Sequence, residues 1–314
     1  MLCVPTLQSL SEKLDFFVVA IDADQMPALV DEVLELDCAN AVMLIPGNMG
    51  ENDQSRERAT QLIARINEVH ASERGGPVFL GANCMGVISH PGGYDTWFIP
   101  EEKLPKNSRE KIHRAAFVSQ SGAFMLHRLS QCPELAPAYL VSMGNQTDLS
   151  LGDMIKYFKD SDEVDVIAVY AEGFKDLDGL EFARAVREAI LLGKEVVFYK
   201  AGRTTEGQRA TSGHTASLAG DYMVCESCIR QAGAIVTGSF TEFQDVFLLA
   251  KVVNDSEIPV VGVVDGGRMF DPLRDALLRQ GIPVFPVCDR AVASLSLYME
   301  NRLYTDSLRD GLHR

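Results

Sequence analysis

Residues 164–200 read VDVIAVYAEGFKDLDGLEFARAVREAILLGKEVVFYK. Val164–Tyr170 and Glu195–Lys200 are mostly apolar runs rich in β-branched residues, and Gly179–Leu191 between them carries apolar residues at helical spacing. A strand that is apolar on both faces needs cover on both faces. A helix long enough to carry the chain back makes its two flanking strands parallel. The same alternation extends outward in both directions. Strands are expected at Phe16–Ile21, Ala41–Ile45, Pro77–Leu80, Ala115–Ser119, Ala138–Val141, Ala234–Val236, Val260–Asp265 and Val284–Pro286. Helices are expected between most of them, such as Asp24–Leu36, Gln54–His70, Gly122–Ser130 and Asp221–Ala232. The fold class is therefore α/β, with doubly wound parallel sheets. The rhythm breaks from His90 to Arg114, which carries Pro91, Gly92, Gly93, Pro100 and Pro105, and again near Asn254–Pro259. Three units are expected: 1–112, 113–254 and 255–314.

The chain has 314 residues, 46% hydrophobic and 23% charged, which excludes a disordered, coiled-coil or collagen-like protein. Its formal net charge of -15 argues against a nucleic-acid binder. No uncharged apolar run reaches the ~20 residues of a membrane span, and Met1–Leu14 lacks the basic start and apolar stretch of a signal peptide. The expected address is cytoplasmic. The seven cysteines, at 3, 38, 84, 132, 225, 228 and 288, are odd in number and scattered, as free thiols in a reducing compartment would be.

In open α/β sheets, ligands sit beyond the carboxyl ends of strands, so the chemistry is sought there. Ser119-Gln120-Ser121-Gly122-Ala123 ends a strand and opens a helix. Ser121 suits an N-cap, Gly122 admits close approach to the backbone, and the free amides suit an anion; an ordinary capped helix reads the same way. Ser212-Gly213-His214-Thr215-Ala216 sits in a loop of small residues, which leaves His214 sterically accessible as a nucleophile; a merely solvated loop histidine reads the same way. Glu172 follows the 164–170 strand and would fix an imidazole's tautomer if the fold set it beside His214. Asn83-Cys84 and Pro46-Gly47-Asn48 lie in two further strand-end turns, the second suited to a nucleotide-like group. Cys84 reads more readily as a small buried thiol than as a nucleophile. Cys225 and Cys228 form a C-x-x-C with no second pair at zinc spacing, and no metal site is expected. P-loop, G-x-S-x-G and G-x-G-x-x-G motifs are absent.

Taken in order, several segments resemble the nucleoside-diphosphate-forming acyl-CoA synthetases, close to ADP-forming acetyl-CoA synthetase and more distantly the succinyl-CoA synthetase alpha subunit. They are Gly81–Gly86, Ser119–Ala123, Glu172-Gly173, Gly202-Arg203-Thr204, Ser212–Gly220, Arg230–Ala234 and Gly281–Phe285, with the match running over roughly residues 12 to 253. The resemblance implies a partial Rossmann-like CoA-binding domain followed by flavodoxin-like ligase domains. It implies that acyl-CoA and phosphate give acyl phosphate and CoA, and that a histidine then carries the phosphoryl group to a nucleoside diphosphate. By motif, His214 would be that histidine and Glu172 would orient it. Ser119, Ser121 and Gly122 would bind phosphate, and Pro46, Gly47, Asn48, Asn83 and Cys84 would contact coenzyme A. The Mg-nucleotide is expected on an ATP-grasp beta-type partner subunit in a hetero-oligomer. Three departures accompany the match. Met1 enters partway through the first domain, so its first β-α-β unit is read as missing. Ala82 and Ala216 replace a usual Pro and Gly, and residues 256 to 302 match only the last part of a third domain. These favour, as the alternative, a non-catalytic sensor of CoA or acyl-CoA, or a scaffold subunit.

Overall fold

The computed structural model describes residues 3–100, 112–175, 177–204, 206–207, 222–253 and 259–311. Three strands, β1 (Leu14–Val19), β2 (Ala39–Leu44) and β3 (Val78–Gly81), pair in parallel in chain order. Helices α1 (Met26–Leu36) and α2 (Asp53–His70) make the crossovers. The strands alternate faces, so Val19, Val42, Leu44 and Phe79 meet Met26, Val30 and Val33 of α1 and Leu62 and Ile66 of α2. A capping box starts α2: Asn52 accepts from the Ser55 amide, and the Ser55 hydroxyl accepts from the Asn52 amide.

The second sheet has seven strands: β4 (Val87–Ser89), β5 (Tyr94–Asp95), β6 (His113–Ser119), β7 (Pro137–Ser142), β8 (Val166–Ala171), β9 (Glu195–Lys200) and β10 (Ile235–Val236). Their spatial order is β10-β9-β8-β6-β7-β4-β5. The five strands β6 to β10 are mutually parallel, whereas β4 runs antiparallel to β7 and β5 to β4. Helices α3 (Gly122–Gln131), α4 (Leu151–Lys159), α5 (Asp178–Leu191), α6 (Tyr222–Ala232) and α7 (Phe240–Val253) follow β6, β7, β8, β9 and β10 in turn. On one face Ile155, Phe158, Phe182, Val186, Ile190 and Ile229 pack onto Ile167, Val169 and Phe198. On the other, Met125, Leu129, Phe243, Val246 and Phe247 cover Phe117, Ala168 and Val197. Both faces are buried, as the unbroken apolar strands require.

The parallel strands follow the flavodoxin-like order, with the first strand, β6, between the second and the third. The chain therefore leaves β6 to one side and returns on the other, and the switch point lies between β6 and β8.

Residues 259–311 add β11 (Gly262–Val263) parallel to β12 (Val284–Phe285), with α8 (Asp271–Arg279) between them and α9 (Cys288–Asp310) after. Tyr298 of α9 is fully buried with the α7 side of the second sheet's core, and its hydroxyl donates to Glu195 of β9 at 2.7 Å. Sheet membership changes between Gly81 and Val87, ahead of the break expected at 112: the short hairpin β4–β5 belongs to the second sheet.

Candidate functional site

Several of the residues singled out in the sequence converge at the switch point. Beyond β6, the Ser121 hydroxyl caps α3 by accepting from the Phe124 amide at 3.2 Å. That leaves the Gly122 and Ala123 amides in the first turn, where a helix has no internal acceptor for them. Gly122 is required by contact: a Cβ there would lie 2.6 Å from Met85 Cβ. Ser119 is fully buried, and its hydroxyl donates to the Ser121 carbonyl at 2.7 Å, so it shapes the turn from behind. Gln120, 4% exposed, turns the other way, toward β8. Its Oε1 accepts from the amides of both Glu172 and Gly173.

Glu172 is itself 7% exposed and accepts a hydrogen bond from the Tyr170 hydroxyl at 3.3 Å. Burial, and then the negative Glu172, raise the Tyr170 pKa well above the ordinary phenol value, so this hydroxyl remains a donor. Tyr170 also stacks on Phe124 of α3 with ring centroids 3.9 Å apart. A protonated phenol, a glutamine oxygen and an aromatic stack thus fix where Glu172 stands.

The turn after β3 forms the facing wall. The Asn83 amide donates to the Pro46 carbonyl at 2.9 Å, which ties this turn to the one after β2. The Cys84 thiol is 3% exposed and donates to the Leu44 carbonyl at 3.3 Å. Burial pushes its pKa up to about 12, so Cys84 is a protonated packing group and no nucleophile.

A strap after β7, Met143–Leu149, holds the two walls together. Its Asn145 and Thr147 amides donate to the carbonyls of Ala82 and Gly81 at 2.8 and 2.6 Å, and the Leu149 amide donates to the Phe79 carbonyl at 3.1 Å. The Thr147 hydroxyl accepts from the Ala82 amide and the Asp148 carboxylate from the Phe79 amide, each at 2.8 Å. Gly144, at φ +56°, lets the strap pass: a Cβ there would sit 2.0 Å from the Ala82 carbonyl oxygen.

Between the walls lies a cleft of about 210 Å³. Asn83, Cys84, Ser121, Gly122 and Glu172 all line it, and so do Gln120, Asn145 and Phe98, which sequence reasoning did not single out. Gln120 stood inside the Ser-Gln-Ser-Gly turn, overshadowed by the serines. Asn145 sits in the small polar turn Gly144-Asn145-Gln146-Thr147 after an apolar strand, the same signal that marked the other turns. Of the turn after β2, Ile45 lines the cleft; Pro46, Gly47 and Asn48 do not, though the Pro46 carbonyl and Gly47 adjoin Asn83. His214 lies outside the described residues. A larger cavity of about 460 Å³ is lined by His113, Lys251 and Gly281-Ile282-Pro283 among others, the last from a segment quoted for the resemblance, but by none of the candidate site residues. Among the described residues, no group of three or more His, Cys, Asp or Glu side chains could hold a metal ion. No described helix is long and apolar enough to cross a membrane.

This switch-point cleft on a flavodoxin-order sheet has known counterparts. Residues 113–250 match the succinyl-CoA ligase like flavodoxin domain, which places β6 through most of α7 in that domain family. Beyond that domain, the chain is similar to ADP-forming acyl-CoA synthetases over most of its length. It is 32% identical over 249 residues to acetate–CoA ligase [ADP-forming] I of Archaeoglobus fulgidus, which covers 79% of this chain and 34% of that protein. It is 26% identical over 277 residues to acetate–CoA ligase [ADP-forming] I subunit alpha of Pyrococcus furiosus, covering 87% and 56%. Among solved structures, the dinucleotide-forming acetyl-coenzyme A synthetase 1 of Ca. Korarchaeum cryptofilum, in complex with phosphate and ADP, superposes with a TM-score of 0.69 at 25% identity. That match covers 90% of this chain and 58% of the other. The chain therefore spans between a third and three fifths of the length of these relatives, which are acid–thiol ligases.

Proposed function

We propose that the chain is the alpha-type, acyl-transferring unit of an NDP-forming acyl-CoA synthetase. The observation that carries the proposal is the single cleft at the switch point. There an anion-accepting helix start, a positioned carboxylate and the Asn83-Cys84 turn meet from segments nearly 90 residues apart in sequence. In this reading a phosphate seated at Ser121-Gly122 attacks the thioester carbonyl of an acyl-CoA whose thiol end reaches the cleft past Asn83 and Cys84. The carbon–sulfur bond breaks, the phosphate proton passes to the sulfur, and acyl phosphate and free CoA result. An imidazole nitrogen of His214 then takes the phosphoryl group, the carboxylate leaves, and Glu172 orients the ring and stabilises its charge. The phosphohistidine passes its phosphoryl group to a nucleoside diphosphate held with Mg by an ATP-grasp beta-type partner. Pro46, Gly47 and Asn48, in the turn tied to Asn83 through the Pro46 carbonyl, contact coenzyme A in this reading. Two Pyrococcus furiosus relatives are named as alpha subunits, which supports a hetero-oligomer, and the expected site of action is the cytoplasm.

The test is acid-labile, base-stable phosphate on the purified chain, read by intact mass after incubation with acetyl phosphate, or with ATP and a candidate partner. One phosphate gained by the wild type and lost in His214→Ala is the expected result. An undiminished label in the variant sinks the histidine assignment. No label on folded wild-type chain with a competent partner moves the reading to a non-catalytic CoA sensor or scaffold.

A further inference from the structure

Asn145 is 6% exposed and lines the cleft with Ser121, Gly122 and Glu172. Both protons of its amide are committed. Nδ2 donates to the Met49 carbonyl and to Glu51 Oε1, each at 2.9 Å. Glu51 is held in turn by the Met49 amide, which donates to its other carboxylate oxygen. Flipping the Asn145 amide would set its oxygen against two acceptors, so the orientation is fixed. Its Oδ1 is left buried, with no hydrogen-bond partner among the described residues. A buried acceptor without a donor destabilises a fold, and its persistence calls for an explanation.

We infer that Asn145 Oδ1 accepts the P–OH proton of hydrogenphosphate and so distinguishes phosphate from sulfate. The inference rests on the phosphate site proposed above. The helix start at Ser121-Gly122 attracts any tetrahedral dianion of suitable size, because amides and the helix dipole respond to charge alone. The fixed, buried carbonyl oxygen of a residue lining the same cleft does not. It repels an unprotonated anion oxygen and welcomes a protonated one. At neutral pH sulfate carries no proton and hydrogenphosphate carries one. Glu51 is then a positioning residue, acting from the first sheet through the Asn145 amide.

The test is calorimetric titration of inorganic phosphate and of sulfate into the full chain at constant ionic strength. Wild type is expected to prefer phosphate by about tenfold or more, the effect of one hydrogen bond to a charged partner. Asn145→Ala should bring the ratio to about one. A purely structural role would weaken both anions together and leave the ratio unchanged, which overturns the inference. So does a wild type without preference. Should Asn145→Ala fail to fold, Asn145→Leu carries the same test: it keeps the side chain's volume and removes the acceptor, so the ratio falls to about one, and an unaltered ratio overturns the inference. Wild type that binds neither anion removes the phosphate site itself, and the inference with it.

Discussion

Replacing Gly144 by alanine tests whether the strap after β7 builds the cleft. Gly144 sits at φ +56°, and an added Cβ would meet the Ala82 oxygen at 2.0 Å, the Asn83 oxygen at 2.7 Å and the Asn83 carbonyl carbon at 2.8 Å. All three are backbone atoms, so no side-chain rotation relieves the clash. The left-handed conformation costs alanine about 1 kcal/mol, and forcing the backbones apart costs about 1–3 kcal/mol more. Separation also weakens the Asn145–Ala82 and Thr147–Gly81 backbone bonds and the Ala82–Thr147 hydroxyl bond, each worth about 0.5–1.5 kcal/mol net. A loss of about 4 kcal/mol follows, felt first as local opening. Mass-resolved thiol labelling reads it at Cys84, which adjoins the clash and is 3% exposed. An opening made easier by 4 kcal/mol raises Cys84 labelling by about a thousandfold. Gly93→Ala is the control: φ is +67° with open space around the added Cβ, so only the conformational cost of about 1 kcal/mol remains. If Gly144→Ala matches Gly93→Ala in urea unfolding and leaves Cys84 protected, the strap does not hold the walls together.

Gln120→Leu should leave the buried amides of Glu172 and Gly173 without their acceptor, lowering stability by about 2–4 kcal/mol. Hydrogen exchange at those two amides should accelerate, and unchanged exchange would show that the Gln120 contact is dispensable. Glu195, under Tyr298, has its pKa raised by burial to about 7, so the fold holds its proton more tightly than the unfolded chain does. Its contribution is full below the ordinary value of 4.5 and is lost as pH rises through 7. Glu195→Gln should remove that part of the pH dependence, on the order of 2 kcal/mol after solvent screening, as read from urea midpoints between pH 4.5 and 7.5. A slope identical to wild type would contradict it.

The parallel strands were legible because each is a short, mostly apolar run and all but β3 are followed by a helix. All ten expected strands exist, shifted at their ends by a residue or two. The hairpin β4–β5 was not legible. Val87–Ser89 spans three residues and Tyr94–Asp95 two, too few to show a period, and the partner of β4 in the sheet, β7, lies some fifty residues on. The cleft was legible in its donors, since Ser121, Gly122 and Glu172 stand at strand ends where the topology requires a ligand site. Gln120 and Asn145 were less so. An amide's role depends on which buried partners it meets, and neither the Gln120–Gly173 contact nor the Asn145–Glu51 contact leaves a trace in local sequence. Of the turn chosen for coenzyme A, Pro46 is tied to the cleft wall by the Asn83 amide, while Pro46, Gly47 and Asn48 do not themselves line the cleft.

The strap has a consequence for biosynthesis. In the first sheet β3 is an outer strand, and its free side is occupied by the backbone and side chains of residues 145–149 instead of by another strand. Until those residues have left the ribosome, a nascent chain holding β1 to β3 presents a bare row of peptide groups at Phe79, Gly81 and Ala82. Such a row invites pairing with another chain. The first sheet is thus sealed only by the second. Translation rate and chaperone capture over this interval, as much as the finished protein's stability, would set how much of the chain matures without clumping.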